Sequence, residues 1–254
     1  MLHLRSLVFN VFFYLWTGLL LLVMILLLLL PGDRLILGIG LVWGRGNLWA
    51  LRVICDLKVE WRGMEKIPEG AILVAAKHQS AWETFAFFLP FRRPAYVYKR
   101  QLAYVPLFGW AVWKARQIPV DRGKKGEALA SITAGAKIAA SIGRQVMIFP
   151  EGTRRPVAAP PDYKYGVAHL YRTLDLPCQP VALNSGMFWG RKSFIRRPGT
   201  VLVEFLDPIP PGLSPTEFAE RLEADIEGAT NRLIAESRAR GEGEEPLTPA
   251  GGRN

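Results

Sequence analysis

The stretch Ala71–Pro90, AILVAAKHQSAWETFAFFLP, decides how the rest of the chain is organised. Its first half is a run of small and β-branched residues, which predicts a short buried strand. Its second half carries aromatic residues behind Ser80, a residue type that favours the first cap of a helix. His78 therefore falls on the turn between strand and helix, and Glu83 falls in the first helical turn. From there the Glu83 carboxylate can reach the imidazole, so the pair predicts a base and the group that orients it.

The same residues allow a simpler interpretation. Ser80 and Glu83 are spaced as a capping box, in which the glutamate only satisfies a backbone amide of the first turn. His78 would then be an ordinary, partly buried histidine. This stretch alone does not separate the two interpretations, although one carboxylate can serve both purposes.

Two further stretches bear on the question. Val146–Arg154, VMIFPEGTR, is a strand followed by a glycine, a hydroxyl and an arginine. Such a turn presents free backbone amides, and the arginine beside it can grip a phosphate in bidentate fashion. Ile118–Arg122, IPVDR, is another strand end with a basic residue directly after it. The sequence therefore predicts three polar strand ends that line one cleft.

In this order the blocks resemble the glycerolipid acyltransferases, which acylate 1-acyl-glycerol 3-phosphate to phosphatidic acid. His78–Glu83 is similar to the family's H-x-x-x-x-D block, and Ile118–Arg122 to its second block. Phe149–Arg154 is similar to the F-P-E-G-T-R block, and Pro180–Ser185 to the short P-V segment that closes the pattern. The family usually has aspartate where this chain has Glu83, which is one methylene longer. A glutamate can still orient and stabilise an imidazolium.

The resemblance implies a role for each matching residue. His78 takes the proton of an attacking hydroxyl, and Glu83 holds the imidazole tautomer. Arg122 and Arg154 bind the phosphate of the acceptor. Neither a metal nor a cofactor is implied. The residues predicted to bind or shape the site for substrate are Arg122, Glu151, Gly152, Thr153, Arg154 and Lys99, of which Lys99 could equally be a surface charge near a membrane.

Composition and charge favour a membrane partner. The 254-residue chain is half hydrophobic and carries a formal net charge of +10, which suits an anionic partner. Its basic residues are dispersed among apolar segments, and nothing resembles a nucleic-acid-binding module. Leu7–Leu30 carries no charge. As a helix it would be roughly 36 Å long, against ~30 Å for the hydrocarbon core of a bilayer.

A turn and a weaker apolar stretch, Leu35–Val42, follow this segment. No signal-peptidase pattern separates them, so the first segment is expected to be retained. Basic residues flank both stretches, which predicts a re-entrant hairpin whose ends face the cytoplasm. A single membrane span is the alternative. In the family that the blocks resemble, an N-terminal helix pair anchors the enzyme on one leaflet.

The remaining chain alternates between strand and helix patterns. This alternation predicts an α/β fold, in which a largely parallel central sheet is flanked by helices behind the hairpin-like membrane anchor. The expected organisation is an anchor over residues 1–55, an acyltransferase domain over 56–240 and a disordered tail over 241–254. Cys55 and Cys178 are too few for a disulfide framework.

The sequence thus predicts acyl transfer from an acyl thioester, acyl-ACP or acyl-CoA, to the sn-2 hydroxyl of 1-acyl-glycerol 3-phosphate. The expected location is a bacterial inner membrane, with the site facing the cytoplasm. Lysophosphatidic acid and membrane lipid are the expected partners, and nucleic acid is not. Three alternatives stay open: the same fold acting on a lyso-ornithine lipid or lysophospholipid, a hydrolase, and a membrane lipid-binding protein without catalysis.

Overall fold

The computed structural model describes residues 1–121 and 125–243, and for residues 125–127 the backbone only. Arg122 and the predicted tail from residue 244 onwards lie outside the described residues. The helices are α1 Leu2–Leu27, α2 Arg34–Cys55, α3 Trp82–Ala86, α4 Phe108–Lys114, α5 Lys125–Ser141, α6 Gly166–Leu174 and α7 Pro215–Ala239. The strands are β1 Leu57–Arg62, β2 Ile72–Ala76, β3 Pro94–Lys99, β4 Ile118–Val120, β5 Gln145–Ile148, β6 Cys178–Leu183 and β7 Gly199–Phe205.

The strands form one seven-stranded sheet in the order β1-β7-β6-β2-β5-β3-β4. Neighbouring strands are parallel except β6 and β7, which run antiparallel. β2 lies at the centre, and every one of its residues is fully buried. Val74 contributes to the core on one face of the sheet and Leu73 to the core on the other. The predicted α/β class, with a largely parallel sheet flanked by helices, is confirmed.

The register of the central strands places the predicted blocks side by side. Ala75 of β2 pairs with Ile148 of β5, and Ala76 pairs with Val181 of β6. Because the three strands are parallel, the residues that follow them meet at the same edge of the sheet. The turns after β2, β5 and β6 therefore converge, although they are far apart in sequence.

α1 lies against the α/β domain at both of its ends. Near its beginning Phe9 is fully buried, and its ring lies edge-on to Trp189 with 5.7 Å between centroids. Near its end Met24 packs in one cluster with Ala115. α1 is long and apolar enough to cross a membrane by length and composition. Its outer face exposes large apolar side chains, among them Leu4, Val11, Tyr14, Leu15, Leu22 and Leu26.

Two helix boundaries bear on the sequence prediction. α3 begins at Trp82, with Ala81 directly before it. The Ser80 hydroxyl accepts a hydrogen bond from the Trp82 amide at 3.2 Å and the Ser80 amide donates to Glu83, which are the reciprocal bonds of a capping box. α2 extends from Arg34 to Cys55, and its buried positions keep the helical period against the domain. These positions include Leu37, Gly44, Asn47, Leu51 and Cys55.

Candidate active site

His78 and Glu83 form the predicted pair. His78 Nδ1 lies 3.1 Å from Glu83 Oε2. The Glu83 side chain is completely buried, and both of its oxygens lie 3.0 Å from the backbone nitrogen of Ser80, which donates to them. The carboxylate thus serves the turn and the histidine at once, and the two interpretations of this stretch are compatible. Because an ionised carboxylate only accepts hydrogen bonds, this contact favours the tautomer with the proton on Nδ1, which leaves the lone pair on Nε2.

Two residues to which the sequence prediction gave no role contact this pair and hold it in place. Ser185, which follows β6, donates a hydrogen bond from its hydroxyl to Glu83 Oε1 and is 1% exposed. The Phe149 ring stacks on the His78 ring, with 3.9 Å between centroids and 15° between planes. Ser185 therefore fixes the carboxylate and Phe149 fixes the imidazole plane. The sequence signal for both was their position at a strand end beside β2.

Glu151 is turned into the protein. Its side chain is 1% exposed, and its two oxygens accept from the His78 amide at 3.1 Å and from Lys77 Nζ at 2.8 Å. Lys77 Nζ also donates to Glu227 on α7 at 2.5 Å. The Tyr163 hydroxyl donates to the same Glu227 oxygen at 3.0 Å. Burial raises the pKa of the Tyr163 phenol, and the nearby Glu227 charge is the second-largest cause of this rise. Glu151 thus holds the backbone at His78 in place.

Lys77 is a further site residue to which the sequence prediction gave no role. It is 3% exposed, although lysine is almost never fully buried without partners. A charged residue placed directly after a strand of five buried residues was the available signal. Its partners Glu151 and Glu227 lie 74 and 150 residues away in sequence, so only the fold reveals them.

Two of the remaining predicted substrate-binding residues, Gly152 and Lys99, border the cavity that His78 also lines. Gly152 takes φ +64°, a conformation that favours glycine, and borders the cavity beside His78. Lys99 is exposed at the end of β3 and borders the same cavity. Thr153 and Arg154 follow in the turn and are half-buried. Arg122, which was also predicted to bind phosphate, lies outside the described residues.

A cavity of about 1140 Å³ leads away from His78. Its walls are mainly apolar and come from α1, α2, α4, α5 and the turn after β5. A volume of this size lies just above the usual range of about 300–1,000 Å³ for small-molecule sites, and its lining suits a hydrocarbon chain. The side chains that illustrate this lining are Leu20, Met24, Ile36, Phe88, Val112 and Ile132.

A histidine–carboxylate pair thus lies at the end of a parallel strand, beside an apolar cavity. The chain belongs to the acyltransferase family, whose profile matches residues 58–184, half of its length. It is 38% identical over 164 residues to the 1-acyl-sn-glycerol-3-phosphate acyltransferase of Pseudomonas aeruginosa. The aligned residues make up 63% of this chain and 63% of that protein. It is 27% identical over 210 residues to the human 1-acyl-sn-glycerol-3-phosphate acyltransferase alpha, 80% of this chain and 73% of that protein.

The fold is shared with a solved structure. The crystal structure of the 1-acyl-sn-glycerophosphate (LPA) acyltransferase PlsC from Thermotoga maritima superposes with a TM-score of 0.76 at 22% sequence identity. The match covers 92% of this chain and 98% of that chain. It therefore includes the N-terminal helices as well as the α/β domain.

Ser185→Ala tests the support of Glu83. We expect kcat to fall roughly tenfold, because a buried carboxylate loses a charged hydrogen bond that fixes its position. KM should change little, since Ser185 lies beneath the pair and does not border the cavity. Ser141→Ala is the matched control, as its hydroxyl donates to the Ile138 carbonyl on an exposed face of α5. A rise in KM at unchanged kcat would contradict the assigned role.

Proposed function

We propose that this chain transfers a fatty acyl group from an acyl thioester to the sn-2 hydroxyl of 1-acyl-sn-glycerol 3-phosphate, giving phosphatidic acid. The observation that carries the proposal is the His78–Glu83 pair, held at 3.1 Å beside an apolar cavity of about 1140 Å³. The names of the relatives support the same acceptor. Acyl-ACP and acyl-CoA are both polyanionic donors that suit a chain of net charge +10.

The chemistry needs a base that can return its proton. His78 Nε2 accepts the proton of the sn-2 hydroxyl while the hydroxyl oxygen bonds to the thioester carbonyl carbon. Glu83 stabilises the imidazolium formed in this step. The carbon–sulfur bond then breaks, and the imidazolium gives its proton to the leaving thiolate. The products are an ester and a free thiol, so the step balances without a cofactor.

The phosphate of the acceptor requires cations near the base. We assign it to Arg122 and Arg154, with Lys99 as a third contact, because guanidinium groups bind phosphate in bidentate fashion. Gly152 and Thr153 shape the turn that carries Arg154. Glu151 acts through the His78 backbone, since protein donors already occupy both of its oxygens.

The N-terminal helices are proposed to lie along one leaflet. A spanning helix is surrounded by lipid over the ~30 Å hydrocarbon core. α1 contacts the α/β domain through Phe9 at one end and Met24 at the other, so crossing the bilayer would draw part of that domain into hydrocarbon. An in-plane hairpin avoids this and keeps the outer face of α1 in lipid. Both thioester donors are cytosolic, so we place the site on the cytoplasmic side of a bacterial inner membrane.

The decisive assay uses the full chain in detergent or lipid with 1-acyl-glycerol 3-phosphate and a labelled acyl thioester. Label in phosphatidic acid supports the proposal. Label in free fatty acid alone would indicate a hydrolase. Label only in the product of a lyso-ornithine lipid or a lysophospholipid would indicate the same chemistry with another acceptor. Lipid binding by folded protein, with no product from any acceptor, would indicate a binding protein.

Arg154→Ala tests the assignment of the phosphate site. We expect KM for 1-acyl-glycerol 3-phosphate to rise roughly tenfold or more, because a charge-assisted contact to phosphate is lost. The KM for the thioester should change far less. Arg172→Ala, on an exposed position of α6, is the matched control. An unchanged KM for the phosphate acceptor would remove Arg154 from the binding site.

A further inference from the structure

Between β3 and β4 the chain presents an apolar surface that the proposed chemistry does not use. A single helical turn, Arg100–Tyr104, leads through Val105 into α4, and this segment exposes five large apolar side chains within twelve positions. Tryptophan and tyrosine are the residues enriched where proteins meet the membrane–water interface. The α4 surface consists of Leu102 (42% exposed), Tyr104 (74%), Val105 (46%), Trp110 (54%) and Trp113 (74%).

The α4 surface is held rigidly. Gly109 lies so close to the preceding turn that a Cβ atom there would come within 1.9 Å of the Ala103 carbonyl oxygen. Leu107, at the start of α4, adopts φ +64°, which costs a non-glycine residue strain. At the other end the buried Arg144 guanidinium donates to the Ala115 carbonyl at 2.8 Å and the Arg116 carbonyl at 3.1 Å. The exposed aromatic residues therefore lie on a segment that close packing and hydrogen bonds hold in place.

The stretch of chain that carries the α4 surface is basic, although Asp33 pairs with its Arg93. The segment from residue 91 to residue 120 contains six lysines and arginines and no aspartate or glutamate. Among them Lys99, Arg100 and Arg116 are exposed. Basic residues next to an apolar patch attract an anionic lipid surface, and the attraction adds to the burial of apolar area.

α4 also lies next to the C-terminal end of α1. Lys114 Nζ donates to the Leu28 carbonyl at 3.0 Å and to the Leu30 carbonyl at 2.6 Å, directly after α1. The neighbouring Leu26 is 72% exposed and Leu29 is 90% exposed. The inner side of α4 borders the cavity, through Phe108, Ala111 and Val112. The cavity and the exposed apolar surface are therefore neighbours, and Leu102 belongs to both.

We propose that the α4 surface docks on the leaflet that holds α1 and that this leaflet is anionic. This inference rests on the proposed function, because the second contact then holds the mouth of the cavity against the lipid that supplies the acceptor. The two contacts fix the orientation of the α/β domain on the membrane. Lipid then moves between leaflet and cavity without leaving an apolar environment.

A probe at Trp113 tests docking without depending on activity. The native cysteines are 1% and 0% exposed, so a thiol-reactive environment-sensitive fluorophore labels a Trp113→Cys chain at that position. When vesicles of phosphatidylcholine and phosphatidylglycerol are added, we expect the emission of the fluorophore to shift to shorter wavelength. Nitroxide-labelled lipid in the vesicles should quench this fluorescence. The same probe at Ile138→Cys, an exposed position on α5, should stay quenchable by aqueous iodide. Iodide quenching at position 113 in bound protein would overturn the proposal.

A second experiment measures the consequence for turnover. The triple variant Tyr104→Gln, Trp110→Gln, Trp113→Gln changes side chains that do not border the cavity. We expect its rate on vesicle-borne acceptor to fall roughly tenfold, while its rate on a monomeric short-chain acceptor stays near that of the parent. Equal loss on both acceptors, or a rise confined to KM for acyl-ACP, would overturn the proposal; the latter would mark a protein-docking surface. A parent chain inactive on both acceptors would refute the proposed function, and the probe would still report docking.

Discussion

His78→Ala should lower acyl transfer to 1-acyl-glycerol 3-phosphate by about 10³-fold or more, since general-base catalysis is lost and Glu83 has no imidazolium to stabilise. Labelled phosphatidic acid formed per unit time is the readout. Vesicle binding should not change, because the outer faces of α1 and α4 are untouched. Thermal unfolding should change little, since Glu83 keeps its hydrogen bonds to Ser80 and Ser185.

His169→Ala is the matched control for this experiment. His169 lies on α6, where Nε2 is 3.0 Å from the Thr133 hydroxyl oxygen, and it does not border the cavity. We expect near-normal activity from this variant. Substantial activity in His78→Ala would mean that another group accepts the proton, and the proposed mechanism would fail. Glu83→Asp extends the test, because the shorter carboxylate must still reach Nδ1 if Glu83 acts by orienting the imidazole.

Lys77→Met should have the largest effect on stability. It removes the cation between Glu151 and Glu227 and leaves two carboxylates close together without it, one of them fully buried. Breaking a buried ion pair in this way costs about 3–5 kcal/mol. Activity should fall as well, because Glu151 also holds the His78 amide. Chemical denaturation and kcat, both measured on the same preparation, give the two readouts.

Lys137→Met, on an exposed position of α5, is the control for removing a lysine charge. The double variant Lys77→Met, Glu227→Gln separates the loss of the lysine cation from the repulsion between Glu151 and Glu227. It removes one of the two carboxylates that the single variant leaves unpaired. We expect it to recover part of the lost free energy of unfolding. Strict additivity of the two changes would show that Lys77 and Glu227 do not act together.

The parts of the site that depend on residues close together in the chain could be predicted from the sequence. β2 is a continuous apolar run, so its burial and the position of His78 at its end follow from local pattern. Glu83 lies five positions later, within reach across one turn. The parallel arrangement of β2, β5 and β6 follows from the alternation of strands and helices, and it places the strand ends at one edge.

Contacts between distant segments were not predictable in the same way. Ser185 reaches Glu83 across 102 residues. The ion pairs of Lys77 depend on where α7 packs. Glu151, expected to shape the acceptor site, directs its carboxylate toward the His78 amide and Lys77, and side-chain direction at a turn is set by packing that sequence periodicity does not report. The antiparallel pairing of β7 with β6 is likewise visible only in the structure.

The position of α1 has a practical consequence for working with this protein. Membrane anchors are often deleted to obtain a soluble catalytic fragment. Here Phe9 belongs to the same core cluster as Val74 and Val203 of the central sheet, and Met24 with Ile36 forms part of the cavity wall. Deleting residues 1–33 would remove Phe9 from this core cluster and would open the cavity wall at Met24 to water. We therefore expect a chain that lacks residues 1–33 to be less stable than the full chain.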